Sequence, residues 1–358
     1  MKTRYHFLFI LTILAFGIQS IVAQESKPWF KDGPWHWPTP NPKAKVLPLI
    51  KVHGNRFVNS KGDTILFRGM AISDPDKIER QGHWNKAHFE KVKEMGALIV
   101  RIPVHPIAWR ERTPEKYLEL LDQAVEWCTD LGMYVLIDWH TIGNLEMELF
   151  QNPMYNTSKQ ETYQFWRTIA QHFTGNNTVA FYEIFNEPTT YRGTLGSISW
   201  AEWKTINEKI IHLIRAYDTE TIPLVAGFDW AYDLTPIINE PINAEGIGYV
   251  SHPYDNKRSQ PWEPKWEENF GFAAEKYPVV VTEFGFGLRP GETIDANHYG
   301  NRIVKYLEGR KISWICWVFD PEWGPSILKS WDNKYELTGS GEFFKKAMHG
   351  DLEFQKAK

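Results

Sequence analysis

The sequence predicts an α/β protein, a single (β/α)8 TIM barrel preceded by an N-terminal hairpin and an extended Pro/Trp-rich arm. Three observations predict it. From Ile65 onward, short apolar runs alternate with amphipathic stretches: ILFRGM, LIVRIP, YVLIDW, VAFYEIF, PLVAG, IGYVSH, VVVTEF and WICWVF. Eight such runs is the count of a closed parallel barrel. The runs are almost continuously hydrophobic rather than alternating, as expected of strands covered on both faces. The 358 residues, 42% of them apolar, can fill one large core, and no internal repeat or low-complexity tract marks a second domain.

In chain order, residues 1–23 read as a secretory signal peptide: Lys2 and Arg4 precede an apolar run from Phe7 to Ile18, with cleavage expected after Ala23. That run falls short of the roughly 20 residues a spanning helix needs. Residues 24–50, containing WFKDGPWHWPTPNPKAKVLP, lack helical or strand periodicity and read as an extended arm, chiefly a tether, the alternative being that Trp29, Trp35 and Trp37 pack on the barrel or stack on sugar. The barrel is expected over 51–349, opened by a hairpin with turns at His53-Gly54 and Lys61-Gly62-Asp63 that closes its bottom, and residues 350–358 form a C-terminal tail.

The helices between the runs are punctuated. Thr113-Pro114 supplies an N-cap and a first-turn proline, Tyr117, Leu121, Ala124, Cys128 and Leu131 share a face, and Gly132 ends the helix. Ser158 with Glu161, and Ser199 with Glu202, have the spacing of capping boxes. Cys128 and Cys316, the only cysteines, lie in a predicted helix and a predicted strand and read as buried small hydrophobes rather than a disulfide framework.

Composition narrows the function. A net charge of −4 leaves no basic footprint for nucleic acid, and no glycine-rich phosphate loop implies a nucleotide cofactor. No His-Glu-x-x-His motif occurs, and His83 and His88 are wrongly spaced for one helix face, so neither metal nor cofactor is expected.

In a barrel of this kind the active site forms at the C-terminal ends of the strands, so the polar residues closing each run carry the information. They are Arg101, His140, Asn186, Glu187, His252, Tyr254 and Glu283, with Trp317 inside the last run. Glu187 and Glu283 each directly follow a hydrophobic run, where an acid is either functional or expensively buried. Glycoside hydrolysis needs such a pair: one carboxylic acid protonates the departing oxygen while the other, ionised, attacks the anomeric carbon. The expected fourth and seventh strands face each other across the barrel mouth, which allows that geometry.

The set Arg101, His140, Asn186-Glu187-Pro188, His252-Pro253-Tyr254, Glu283-Phe284-Gly285 and Trp317 resembles glycoside hydrolase family 5, the cellulase-like retaining enzymes, from about Ile65 to the end of the barrel. The resemblance implies that Glu187 is the acid/base and Glu283 the nucleophile. It further implies that Asn186 donates to the sugar 2-hydroxyl, that Arg101 and Tyr254 hydrogen-bond Glu283 and keep it ionised, that His140 and His252 line the sugar site, and that Trp317 stacks on the pyranose.

The chain is therefore expected to be a secreted or periplasmic retaining glycosidase cleaving a β-linked polysaccharide, foremost an endo-β-1,4-glucanase. It is expected to be a monomer, off the membrane after signal cleavage. β-Mannan, mixed-linkage glucan and xyloglucan hydrolases and an exo-β-glycosidase are the alternatives, and an inactive carbohydrate-binding barrel is the non-enzymatic one. Trp84, Trp109, Tyr191, Trp230, Trp262, Phe286 and Trp323 are candidate sugar platforms, and Asp320 with Trp323 could frame a subsite.

Overall fold

The computed structural model describes residues 45–190 and 193–356. The expected signal peptide, the arm as far as residue 44, and Tyr191 lie outside the described residues.

All eight apolar runs become the strands of one closed parallel barrel. In chain order they are Arg68–Ile72, Ile99–Val104, Tyr134–Trp139, Val179–Glu183, Ile222–Ala226, Gly248–Ser251, Val279–Val281 and Ser313–Phe319, here the first to eighth barrel strands. Their neighbours follow chain order round the ring, the eighth pairing with the first. Two apolar layers explain the unbroken hydrophobicity. Phe67, Leu136, Phe181, Leu224 and Val250 fill the interior, while Val100, Val135, Tyr182 and Val281 face the surrounding helices. Full burial of one such side chain contributes about 1.5–3 kcal/mol.

The hairpin Lys51–His53/Arg56–Val58 lies at the strand beginnings. Phe57 meets Phe67 and Phe181 edge to face at centroid distances of 6.2 and 4.9 Å, and Ile50 is buried beside it, so the hairpin plugs the barrel floor as expected. The last arm residues are also held there: the Leu47 amide donates to Thr178 Oγ1, and Tyr134 donates to the Pro48 carbonyl. At the other end, Leu352 is buried and Gln355 donates to Glu308, so the tail packs against the barrel rather than trailing from it.

The helix Pro114–Leu131 buries Tyr117, Leu121, Ala124 and Cys128 and ends at Gly132 with φ 68°, a left-handed position that suits glycine. Its start differs from expectation. Thr113 makes no side-chain cap and has φ 71°, because it joins this helix directly to the preceding one, Pro106–Arg112, and the chain must reverse there. Ser199 and Glu202 form the full reciprocal box. Ser158 caps the Glu161 amide, but the Glu161 carboxylate pairs with Arg110 instead of reaching back, so only half of that box exists. Cys128 and Cys316 are both free and buried.

His88 points from the helix Lys86–Glu94 into an aromatic cluster of Phe89, Phe319, Trp331 and Tyr335, with neither ring nitrogen hydrogen-bonded. Burial pushes its pKa down to about 3, so the native state holds it neutral while an unfolded chain would take up a proton near the ordinary 6.5. Between those values the unfolded state binds more protons, and stability falls as pH falls. His88→Phe is expected to stabilise the fold by about 1 kcal/mol at neutral pH by removing two unpaired polar atoms, with an advantage that widens as pH drops from 7 to 5. Denaturant unfolding at both pH values measures this, and an advantage constant with pH would contradict it.

Candidate active site

Every strand-end residue singled out in the sequence converges on the barrel mouth. Arg101, on the second strand, is the hub. It is wholly buried, and its guanidinium donates to Glu183 from Nε (2.7 Å) and Nη2 (3.1 Å), to Glu283 Oε1 from Nη1 (2.7 Å), and to Asn186 Oδ1 from Nη2 (2.7 Å). Asp138 Oδ2 lies 2.9 Å from Nη2. Burial disfavours the charged guanidinium, but the carboxylates of Asp138, Glu183 and Glu283 outweigh it and hold its pKa well above the ordinary value.

Glu187 owes its position to a small sheet above the barrel. The fourth strand ends at Glu183, and the chain then crosses to pair Glu187–Pro188 with Ile142–Asn144, itself paired with Leu149–Phe150. The Glu187 amide donates to the Thr141 carbonyl at 3.1 Å. Glu283 follows the seventh strand, and Tyr254 donates to its Oε2 at 3.0 Å, so both carboxylate oxygens are held. A carboxylate oxygen of Glu187, one of Glu283 and a ring nitrogen of His252 lie within 4.8 Å of one another. Such a trio has the reach of a metal site, but Arg101 and Tyr254 already occupy Glu283, and His252 occupies Glu187.

His252 is positioned from both sides. Its Nδ1 is 3.0 Å from Glu187 Oε1 and its Nε2 is 2.9 Å from Thr282 Oγ1, whose hydroxyl donates to Glu183 Oε1 at 2.9 Å. With the Thr282 proton committed to Glu183, Nε2 donates to Thr282 Oγ1, and the three carboxylates around the ring favour its protonated form. Burial opposes this, but Glu283, Glu183 and Glu187 raise its pKa to about 9. His140 goes the other way. Burial, with His105 and Arg101 close by, drives its pKa well below the ordinary histidine value while its Nδ1 meets Asp138 Oδ2 at 2.6 Å.

Arg101 and Tyr254 do bond Glu283, yet burial raises the Glu283 pKa above the ordinary carboxylate value against the pull of Arg101 and His252, with Glu187 and Glu183 adding to the rise. The same guanidinium also serves Asp138 and Glu183. Of these competitors, Arg101 and His252 hold Glu183 below its usual range despite burial, while burial carries Asp138 well above it.

Trp317, only 8% exposed, lies parallel to His140 (5.4 Å, 4°) and to Trp323 (6.1 Å, 14°). Asp320 closes the eighth strand, where it is spent on structural hydrogen bonds. It is wholly buried, accepts from Ser73 and Lys77, and takes the Glu322 and Trp323 amides, so it supports the loop that carries Trp323. Among the candidate platforms, Trp109 is core, Trp84 packs on Phe89 and Trp127, and Trp262 stacks on Trp266. Trp230 and Phe286 line a cavity of about 770 Å3 with Glu187, Tyr254 and Lys257. A larger hollow of about 1080 Å3 lies on the outer face, beside the ion-paired Arg302 and Glu263, and shares no residue with the strand ends.

Sequence reasoning missed Asp138 and Glu183, although both are acids inside apolar runs and carried the signal that marked Glu187 and Glu283. It also missed Tyr155, whose phenol burial raises to about 12, Glu187 and Glu283 contributing. His105 was missed too; Asp74 holds its Nδ1 at 3.0 Å, and its ring lies 4.5 Å from that of His140.

The carboxylate separation fits direct attack, for which about 5–5.5 Å is typical, better than the 6.5–9.5 Å that leaves room for a water between acid and base. The chain has relatives among known proteins. A β-glucanase of Saccharophagus degradans is 44% identical and superposes with a TM-score of 0.84 over 89% of this chain and 98% of that one. An endoglucanase of Clostridium saccharobutylicum is 27% identical across 84% of this chain and 65% of its own length. Endoglucanase E-5 of Thermobifida fusca is 28% identical across 81% and 62%. The chain thus spans a little under two thirds of these two endoglucanases. The family described as Cellulase (glycosyl hydrolase family 5) matches residues 58–322, from the hairpin through the eighth strand to the loop carrying Asp320, and the chain belongs to that family.

Proposed function

We propose that this chain is a secreted, monomeric endo-β-1,4-glucanase that hydrolyses its substrate with retention, Glu283 acting as nucleophile and Glu187 as acid/base. The observation that carries this is the approach of the two carboxylates to within 4.8 Å, with different surroundings for each. Glu283 has both oxygens fixed by Arg101 and Tyr254, which orients a lone pair toward the anomeric carbon. Glu187 borders the open cavity, where a leaving group can depart and a water can enter.

In the first step the Glu283 carboxylate bonds to the anomeric carbon as the glycosidic C–O bond breaks, and the Glu187 proton passes to the departing oxygen. In the second, Glu187 takes a proton from water, the water oxygen bonds to the anomeric carbon, and Glu283 leaves as a carboxylate. Asn186 spends its Oδ1 on Arg101, which leaves its amide N–H groups to donate to a sugar hydroxyl, as the 2-hydroxyl contact requires. The β-1,4-glucan substrate is supported by the endoglucanase relatives and by the S. degradans β-glucanase, of which a cellotetraose complex is known.

The test is product analysis on soluble cellulose derivatives. Viscosity is expected to fall ahead of reducing-sugar release, and proton NMR during cellopentaose hydrolysis should show the β-anomer first. Release of a single sugar without loss of viscosity would indicate exo action, and the α-anomer first would overturn retention. A mature N-terminus at Gln24 in the medium of an expressing host would test export.

A further inference from the structure

Lys257 stands three residues after Tyr254 and lines the same cavity as Glu187, Tyr254 and Trp230. Its Nζ lies 4.7 Å from the centre of the Trp230 ring and donates to the Asp229 carbonyl at 2.8 Å. Its neighbour Arg258 is neutralised by the Asp229 carboxylate at 3.0 Å, but Lys257 has no carboxylate within ion-pairing distance among the described residues. A half-buried ammonium carrying one hydrogen bond and, among the described residues, no ion pair is costly to keep for packing alone. Burial lowers its pKa, with Glu187 the leading opposing charge.

The turn that Lys257 grips is itself strained. Asp229, Trp230 and Ala231 have φ values of 56°, 54° and 58°, three consecutive non-glycine residues in the left-handed region. Such strain persists only where surrounding contacts enforce it. Here Lys257 and Arg258 hold Asp229, the His252 amide donates to the Ala231 carbonyl at 2.9 Å, and Gln151 accepts from the Trp230 indole at 2.9 Å. The turn sets Trp230 and Lys257 side by side in the cavity that Glu187 also lines.

We propose that Lys257 is a substrate-contacting residue on the leaving-group side of the scissile bond, its ammonium donating to a ring hydroxyl of the departing hexose held against Trp230. This rests on the glycosidase reading above. A charged donor placed for a ring hydroxyl strengthens the grip on a sugar leaving group more than on an aryl one that has no hydroxyl there.

The experiment compares kcat/KM for wild type, Lys257→Met, Lys257→Gln and Lys257→Arg on cellotetraose and on 2,4-dinitrophenyl β-cellobioside, with thermal melts to confirm folding. Lys257→Met is expected to lose about ten- to hundred-fold on cellotetraose and about ten-fold less than that on the aryl substrate, while Lys257→Arg, keeping a charged donor, recovers part of the loss. Lys257→Gln decides the matter if the methionine variant melts early. Equal losses on both substrates would make Lys257 a mere support for the turn and overturn the proposal, as would an undiminished rate on cellotetraose. A wild-type protein inactive on both substrates would overturn the glycosidase reading itself, whereas an active wild type with unaffected variants removes only the role of Lys257.

Discussion

Glu283→Ala is expected to lower hydrolysis of β-1,4-glucan on the order of 10^5-fold, because it removes the atom that bonds to the anomeric carbon. Azide should restore part of the rate on an activated aryl cellobioside. The small anion fills the space left by the side chain and attacks from the same face that Glu283 would have used. The product should then be the α-glycosyl azide. Glu187→Ala should give the β-azide instead, since there Glu283 still forms the covalent intermediate and azide replaces water in its breakdown. A hydrolysis rate within ten-fold of wild type in Glu283→Ala would end the assignment, and exchanged azide stereochemistry would reverse the two roles.

The loss should not come from unfolding. Burial raises the Glu283 pKa, so the native state retains its proton at pH values where the unfolded chain has released it. In that window the native state binds more protons, and stability falls as pH rises through the ordinary carboxylate range toward the raised value. Glu283→Gln removes this liability and should melt higher than wild type at pH 7. An active site that holds two carboxylates within 4.8 Å trades stability for reactivity.

Arg101→Met should have the largest effect on stability. The guanidinium is wholly buried and is the shared cation of Asp138, Glu183 and Glu283. Removing one partner of a buried ionic cluster leaves the others uncompensated and costs about 3–5 kcal/mol. Without the cation the carboxylates protonate more readily in the native state, so the loss should shrink as pH falls into their titration range. Combining Arg101→Met with Glu183→Leu, which replaces the doubly bonded ion pair by apolar groups, should recover part of the stability without activity. Denaturant unfolding measures all of these, and a single variant within 1 kcal/mol of wild type would show that the cluster does not depend on its arginine.

Much of this was legible before the structure, for identifiable reasons. Barrel strands are buried on both faces, so VVVTEF and WICWVF announce themselves without periodicity, and their polar ends mark the mouth. Glu187 and Glu283 were visible because an acid seldom ends such a run by accident. Local caps were partly legible: Ser199 with Glu202 formed a full box, whereas Glu161 was drawn away by Arg110, a residue distant in sequence.

The sequence by itself determined the fold class, the eight strands and the residue types that could meet at the mouth, because hydrophobic burial and turn chemistry act over short stretches. Only the tertiary structure decided how charge is divided there. One guanidinium serves three carboxylates while burial raises the Glu283 pKa, and Asp138 and Glu183 become participants rather than strand residues. It likewise sorted the tryptophans, sending Trp109 to the core and Trp230 to the cavity, and set Lys257 in the cavity that Glu187 lines. Electrostatic energies depend on distance and desolvation between residues far apart in the chain, and closure of the barrel is what brings those residues together.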